Sequence, residues 1–225
     1  MSHSIFISRE LSPTDHLHKL LTSEGFDIHA LPMISTKGIA FEPKEFKSGW
    51  LFFSSKQGVK HFFEAKPVLG KVLLGAIGEG TARSLRKHGE VTFTGTSSDT
   101  EEVAKEFKKE VGRKKVCFPI SDQSMRTVQQ ALPESQVVDL ICYQTIDLPQ
   151  PIGHPDVLVF SSPSNVEAFF KSNTVVASQA VVAFGKSTAT ALAAHGVDEV
   201  VVSKGTSDQA LLKAIKEAIG SLSPL

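Results

Sequence analysis

Short apolar runs alternate with amphipathic stretches along the whole chain, the pattern of strands that each lead into a helix and lie side by side in a parallel sheet. The class this predicts is α/β. Ile5–Ser8 reads as a strand, Ser12 as a helix N-cap with Pro13 at the first helical position, and Thr14–Ser23 as a helix ended by Gly25. Phe26–Leu31 then returns as a strand. Residues 115–143 carry the same plan: strand KVCFPIS, a helix near Met125–Leu132, a break at Pro133, and strand VVDLICY. Segments 32–43 and 142–151 end these two strand-helix-strand units, hold β-branched residues between prolines, and are the candidate linkers.

Between and after these units the chain repeats itself. LFFSSKQGVKHFF at 51–63 matches LVFSSPSNVEAFF at 158–170 in seven of thirteen residues, and LLGAIGEGTARSLRKHG at 73–89 matches AVVAFGKSTATALAAHG at 180–196 in seven of seventeen. Average composition gives roughly one match in each. The offset is 107 residues in both, so the expected architecture is a duplicated unit, one copy from about 4 to 111 and the other from about 115 to 220. Order alone leaves open whether each copy folds by itself or the two exchange their strand-helix-strand units.

Composition narrows the function classes. At 225 residues the chain suits two α/β domains of about 100 residues, each with its own core. Lys plus Arg and Asp plus Glu are equal at 24 each, so no global field recruits nucleic acid or an anionic membrane. Cys117 and Cys142 sit in apolar runs and read as buried thiols, as in a reducing cytoplasm. Neither a signal peptide nor a membrane span is visible.

The chemistry-bearing residues lie where strands run into helices, which in an open parallel sheet is where ligands sit. Ser54 and Ser55 in one copy, and Ser161 and Ser162 in the other, occupy such turns, where they cap a helix or border an anion site made of free N–H groups. Gly78 and Gly185 open a second pair of helices, with Thr81, Ser187 and Thr188 in the first turns; glycine there permits close backbone approach and positive φ. The bland alternative for all of them is capping. The spacing from Gly75 to Gly80 is GxxGxG rather than GxGxxG, which argues against a dinucleotide site. Lys56 follows the first serine pair and Pro163 the second, so these loops offer a cation in at most one copy. His88 and His195 each precede a glycine at a helix end, where an imidazole favours the dipole. No HExxH, paired CxxC, GxSxG or P-loop occurs. Tyr143, the one tyrosine, breaks the symmetry. A phenol there can give a proton to a leaving oxygen or merely pack.

Together these motifs resemble the uroporphyrinogen-III synthase family: LFFSSKQGVKHFF its strand-to-helix motif, AIGEGTARSLRKHG and AFGKSTATALAAHG its glycine-threonine segments, and ICYQT its linker tyrosine. The resemblance implies two parallel-sheet, flavodoxin-like domains related by internal duplication and joined by a two-stranded linker. One domain would take 1–32 plus 148–225, the other 43–139, with 33–42 and 140–147 as linker strands. It implies a cytoplasmic, monomeric enzyme without metal or cofactor that cyclises hydroxymethylbilane, a linear tetrapyrrole with eight carboxylates, and in passing meets the preceding enzyme of the pathway. Ring D would be inverted through a spiro intermediate. Tyr143 would be catalytic, and Ser54, Ser55, Gly78, Thr81, Ser161, Ser162, Gly185, Ser187 and Thr188 would bind substrate. Where family members often have proline after the second glycine this chain has Lys186, and the first copy has Glu79, an ill-suited neighbour for a polyanion unless it turns away. The rival class is a two-domain binding module without catalysis.

Overall fold

The computed structural model describes residues 2–42, 46–97, 99–205 and 207–221. Met1, Pro43 and Leu225, which bound the expected domains, lie outside them. In chain order the first elements are β1 (Ser4–Ile7), α1 (His16–Ser23), β2 (Asp27–Ala30), β3 (Ile34–Gly38), β4 (Phe46–Phe53) and α2 (Lys56–Glu64). Next come β5 (Leu69–Ala76), α3 (Glu79–Leu85), β6 (Val91–Thr94), α4 (Thr100–Glu110), β7 (Val116–Ser121), α5 (Thr127–Gln130) and a 3₁₀ turn at Glu134–Gln136. The chain continues through β8 (Val137–Asp147), β9 (Val157–Phe160), α6 (Pro163–Phe169), β10 (Ala180–Ala183), α7 (Lys186–Ala194), β11 (Val201–Val202) and α8 (Asp208–Gly220). It divides into two compact units, Met1–Ser35 with Asp147–Leu225, and Thr36–Ile146.

The discontinuous unit holds a parallel sheet in the order β11-β10-β9-β1-β2. Counted within the unit this is 2-1-3-4-5, the flavodoxin order, whose switch point lies between β1 and β9. The carboxylate of Asp156 stitches the distant segments together, accepting from the Ser4 amide at 2.7 Å and the Ser4 hydroxyl at 2.9 Å. The amide bond, more than the hydroxyl, holds that carboxyl below its usual pKa. Strand alternation sorts the core into two faces. Ile5, Ile7, Val157 and Val159 pack with Leu17 and Leu21 of α1 and Leu211 and Ile215 of α8. Phe6, Leu158 and Phe160 pack with Val166 and Phe169 of α6 and Leu192 of α7. The result is helix, sheet, helix, each fully buried large side chain contributing about 1.5–3 kcal/mol.

The continuous unit carries the order β3-β8-β7-β4-β5-β6. From β6 inward this lays out the same five positions, with β7-β8 standing where β1-β2 stand in the other unit, and with β3 added at the edge. Its switch point lies between β4 and β7, which pair in parallel. One face buries Trp50, Phe52 and Phe118 against Val103 and Phe107 of α4; the other buries Leu51 and Phe53 against Val59 and Phe62 of α2 and Leu85 of α3. Phe107 sits 4.5 Å from the Phe52 ring and edge-on to Trp50 at 5.2 Å.

Two local expectations change. The first helix starts at His16, because Ser12-Pro13-Thr14 forms a turn in which the Ser12 amide donates to the Asp15 carboxylate at 2.8 Å; Asp15 holds the N-cap position without a side-chain cap bond. The helix near Met125–Leu132 shrinks to Thr127–Gln130, since Arg126 before it is left-handed at φ 57°. His195 is the C-cap of α7 as expected, and both histidines also stack on phenylalanine, His88 on Phe63 at 3.7 Å and His195 on Phe170 at 4.2 Å. Both partners of this stack recur at the offset of 107. Burial, then Lys87 nearby, lowers the His88 pKa.

Candidate functional site

Each sheet's carboxyl edge presents two strand-to-helix turns in which the residues singled out by sequence reappear. In the continuous unit Ser54 is exposed just beyond β4, and Ser55 is the N-cap of α2. The Ser55 hydroxyl accepts from the Gly58 amide at 2.9 Å and lies 2.9 Å from the Tyr143 hydroxyl. Gly58 lets the turn close: a Cβ there would stand 2.8 Å from the Pro119 carbonyl oxygen.

Tyr143 lies on β8 opposite Ser121 of β7, only 7 % exposed. Burial pushes its phenol pKa up, and hydrogen bonds from Ser55 and Ser121 offset part of that rise. The ring rests on the His61 imidazole at 5.4 Å, and His61 is itself buried and tied at both nitrogens, to Glu64 at 2.9 Å and Thr36 at 3.0 Å. The phenol therefore keeps its proton at neutral pH and is fixed in place.

Gly78 is the N-cap of α3 at φ −174°, and Gly185 the N-cap of α7 at φ −169°. Both are extended, so the expectation of positive φ fails: neither residue needs glycine for its dihedrals. Nor does packing ask for it at Gly78, where the nearest atom to a Cβ, the Gly95 carbonyl oxygen, would be 4.0 Å away. Thr81 and Thr188 are the third residues of their helices and are 6 % and 3 % exposed, while Ser187 is exposed. What these first turns offer outward is mostly main chain.

In the discontinuous unit Ser162 caps α6, accepting from the Asn165 amide at 3.3 Å and the Asn165 side-chain amide at 2.8 Å. Ser161 serves the fold: its hydroxyl donates to the Ser8 carbonyl at 2.8 Å and its amide donates to the Ser8 hydroxyl at 2.9 Å. Sequence reasoning does not single out Ser8, Asn165, Ser121 or His61. Their signal is tertiary, a polar side chain that meets a partner far along the chain.

A family model described as uroporphyrinogen-III synthase HemD matches residues 15–213. The chain belongs to the uroporphyrinogen-III synthase family. These are cyclising lyases of tetrapyrrole biosynthesis. Among solved structures, uroporphyrinogen-III synthetase from Helicobacter pylori aligns with a TM-score of 0.66 at 18 % identity, covering 96 % of this chain and 99 % of that one. A mutant uroporphyrinogen III synthase from Thermus thermophilus aligns at 0.57 and 18 % identity, covering 97 % and 99 %. Both share the fold. A search of curated protein sequences finds no match.

Within this uroporphyrinogen-III synthase family member, the anomalous carboxylate at Glu79 is occupied. Both its oxygens accept from Arg86, at 2.6 and 3.0 Å, and that pairing more than any other cause keeps its pKa low. Lys56, at the start of α2, extends over the start of α3, where its Cε would be 3.3 Å from a Cβ on Gly80. Among the described residues it has no ion-pair partner, and no group of His, Cys, Asp or Glu is gathered as a metal site would require. No helix among them is long and apolar enough to cross a membrane.

Proposed function

We propose that this chain cyclises hydroxymethylbilane to uroporphyrinogen III with inversion of ring D, and that Tyr143 is the acid that releases the leaving hydroxyl. One observation carries this reading. A buried phenol, its pKa raised, meets the hydroxyl that caps α2 at 2.9 Å, at the edge of the sheet where ligands bind. Ser55 accepts the Gly58 amide and can spend its own proton on the Tyr143 oxygen. The phenol proton is then left for the substrate.

As that proton passes to the hydroxymethyl oxygen, the carbon–oxygen bond breaks with electrons from the adjacent pyrrole nitrogen, and water leaves an azafulvene. The substituted α-carbon of ring D attacks the exposed methylene, forming the spiro carbon. The bond from ring D to its former bridge breaks, the bridge carbon closes on the free α-position, and loss of the proton there restores the pyrrole and reprotonates the phenolate. One water is lost overall. Since the azafulvene is reactive and also closes unaided to the non-inverted isomer, holding the bilane's conformation is the greater part of the work.

Within each unit the groups offered to carboxylate arms are the main-chain N–H groups and hydroxyls of the helix starts, at Ser54, Ser55, Gly78 and Thr81 in one and at Ser162, Gly185, Ser187 and Thr188 in the other, where Ser161 holds the turn through Ser8. A glycine at 78 that neither dihedral angles nor packing explains is consistent with a ligand approaching the backbone. The test is incubation with freshly generated hydroxymethylbilane and separation of the isomers. Isomer III is expected, and a product of isomer I alone refutes the reading.

A further inference from the structure

The discontinuous unit holds a cation that the mechanism above leaves unused. Arg9 follows β1 at the switch point between β1 and β9, the position in an open parallel sheet where ligands gather. The chain turns sharply to put it there: the Ser8 amide still extends the sheet to the Val159 carbonyl at 2.9 Å, and the Arg9 amide doubles back to the Ile7 carbonyl at 2.8 Å. The guanidinium carbon lies 5.2 Å from the centre of the Phe184 ring, and Phe184 immediately precedes Gly185. The Nε atom is buried and has no hydrogen-bond partner. Among the described residues Arg9 makes no ion pair.

Its nearest carboxylates act at a distance and have other partners. Asp208 is bonded to His16 at 2.8 Å and Asp15 accepts from the Ser12 amide at 2.8 Å. Desolvation outweighs the attraction of both, so the Arg9 pKa falls. The ordinary reading is a cation packed on an aromatic ring. That reading leaves a buried donor unmade, and such a donor costs more than a cation–π contact at a partly exposed site repays. An arginine arranged in this way suits a planar anion that arrives later, since its fork of donors matches a carboxylate through two parallel bonds.

We propose that Arg9 is a substrate-binding residue that receives a carboxylate arm of the bilane in the discontinuous unit. This rests on the reading that the ligand is a linear tetrapyrrole polycarboxylate. This cation comes from the strand-end of β1 and not from the serine loops, which offer one in at most one copy.

The experiment uses uroporphyrin III, a stable octacarboxylate, with affinity measured by calorimetry on wild type, R9M and R9K, alongside steady-state kinetics with hydroxymethylbilane. R9M, which keeps the packing on Phe184 and removes the charge, is expected to weaken binding by about 10- to 100-fold and raise KM in proportion, the scale of a lost charge-assisted hydrogen bond. Its apo melting temperature should be unchanged or higher, because an unpaired buried cation has been removed. Wild-type affinity in R9M overturns the proposal, as does a lowered melting temperature with unchanged KM. If R9M cannot be recovered folded, R9K carries the test: a point charge cannot reproduce the fork, so affinity must fall several-fold, and wild-type affinity sinks the idea. Should the wild type make no isomer III while R9M still loses uroporphyrin III binding, the proposed reaction fails and the carboxylate site stands.

Discussion

The two units lay five strands in one spatial order, and at residues 107 apart each caps a helix with serine and stacks histidine on phenylalanine. They differ in what the capping serine touches. Ser55 meets a buried phenol, while Ser162 meets the amide side chain of Asn165, whose own oxygen accepts from the Met33 amide at 3.0 Å. One pattern thus supports a group able to give up a proton, and its twin closes on itself. Shared geometry explains the grip of each unit on its helices; the proposed acid, Tyr143, lies at a position where they diverge.

The largest difference to test is alkaline stability. Both cysteines, Cys117 and Cys142, are buried in the continuous unit, and burial pushes each thiol to about 12. A pKa raised by folding contributes stability that is complete below the unfolded value of 9.0 and is lost as pH climbs toward 12. The phenol of Tyr143, also raised, adds to the loss above pH 10.0. By pH 11 the two thiols together forfeit on the order of 5 kcal/mol. Urea unfolding from pH 7 to 11 should show a steep fall in the continuous unit, and a C117A/C142A variant should flatten it. An identical fall in that variant would remove thiol burial as the cause.

Next in size is Tyr143→Phe. It keeps the ring on His61 and deletes only the hydroxyl, so turnover should drop by about 10²- to 10³-fold with little change in KM, as expected for loss of a positioned acid. An unchanged kcat removes the acid role.

Much of this comparison is legible in the sequence. Apolar runs broken by Gly, Ser and Thr mark where strands become helices, and the fixed offset of 107 pairs those turns one with another. Strand Ile5–Ser8 is found within a residue of its place because a strand buried on both faces reads as a short continuous apolar run. The start of the first helix escapes the local rule: Ser12 and Pro13 satisfy it, while Asp15, by accepting from the Ser12 amide, makes a turn there instead. Arg9 does not stand out in the sequence, since its meaning lies in a missing partner for Nε and a ring from residue 184, neither of which has a sequence pattern. The His61–Tyr143 stack joins a helix to a strand in the same way. Lone pairs and ring faces are spent in three dimensions, whereas capping and periodicity are spent locally.

The smallest prediction separates capping from catalysis. Ser55→Ala and Ser162→Ala each delete an N-cap acceptor, so both should cost about 1 kcal/mol of stability, read by urea unfolding of the full chain. Only Ser55→Ala also removes a hydrogen bond to Tyr143, which is buried and then left with Ser121. Its phenol is less well held, so kcat should fall roughly tenfold, the scale of one lost orienting hydrogen bond, while Ser162→Ala keeps kcat and shifts KM alone. Ser55→Thr preserves the hydroxyl and should recover both stability and turnover. Equal losses of kcat in Ser55→Ala and Ser162→Ala would mean that both serines act through the helices they cap, and that the asymmetry at Tyr143 has no bearing on the rate.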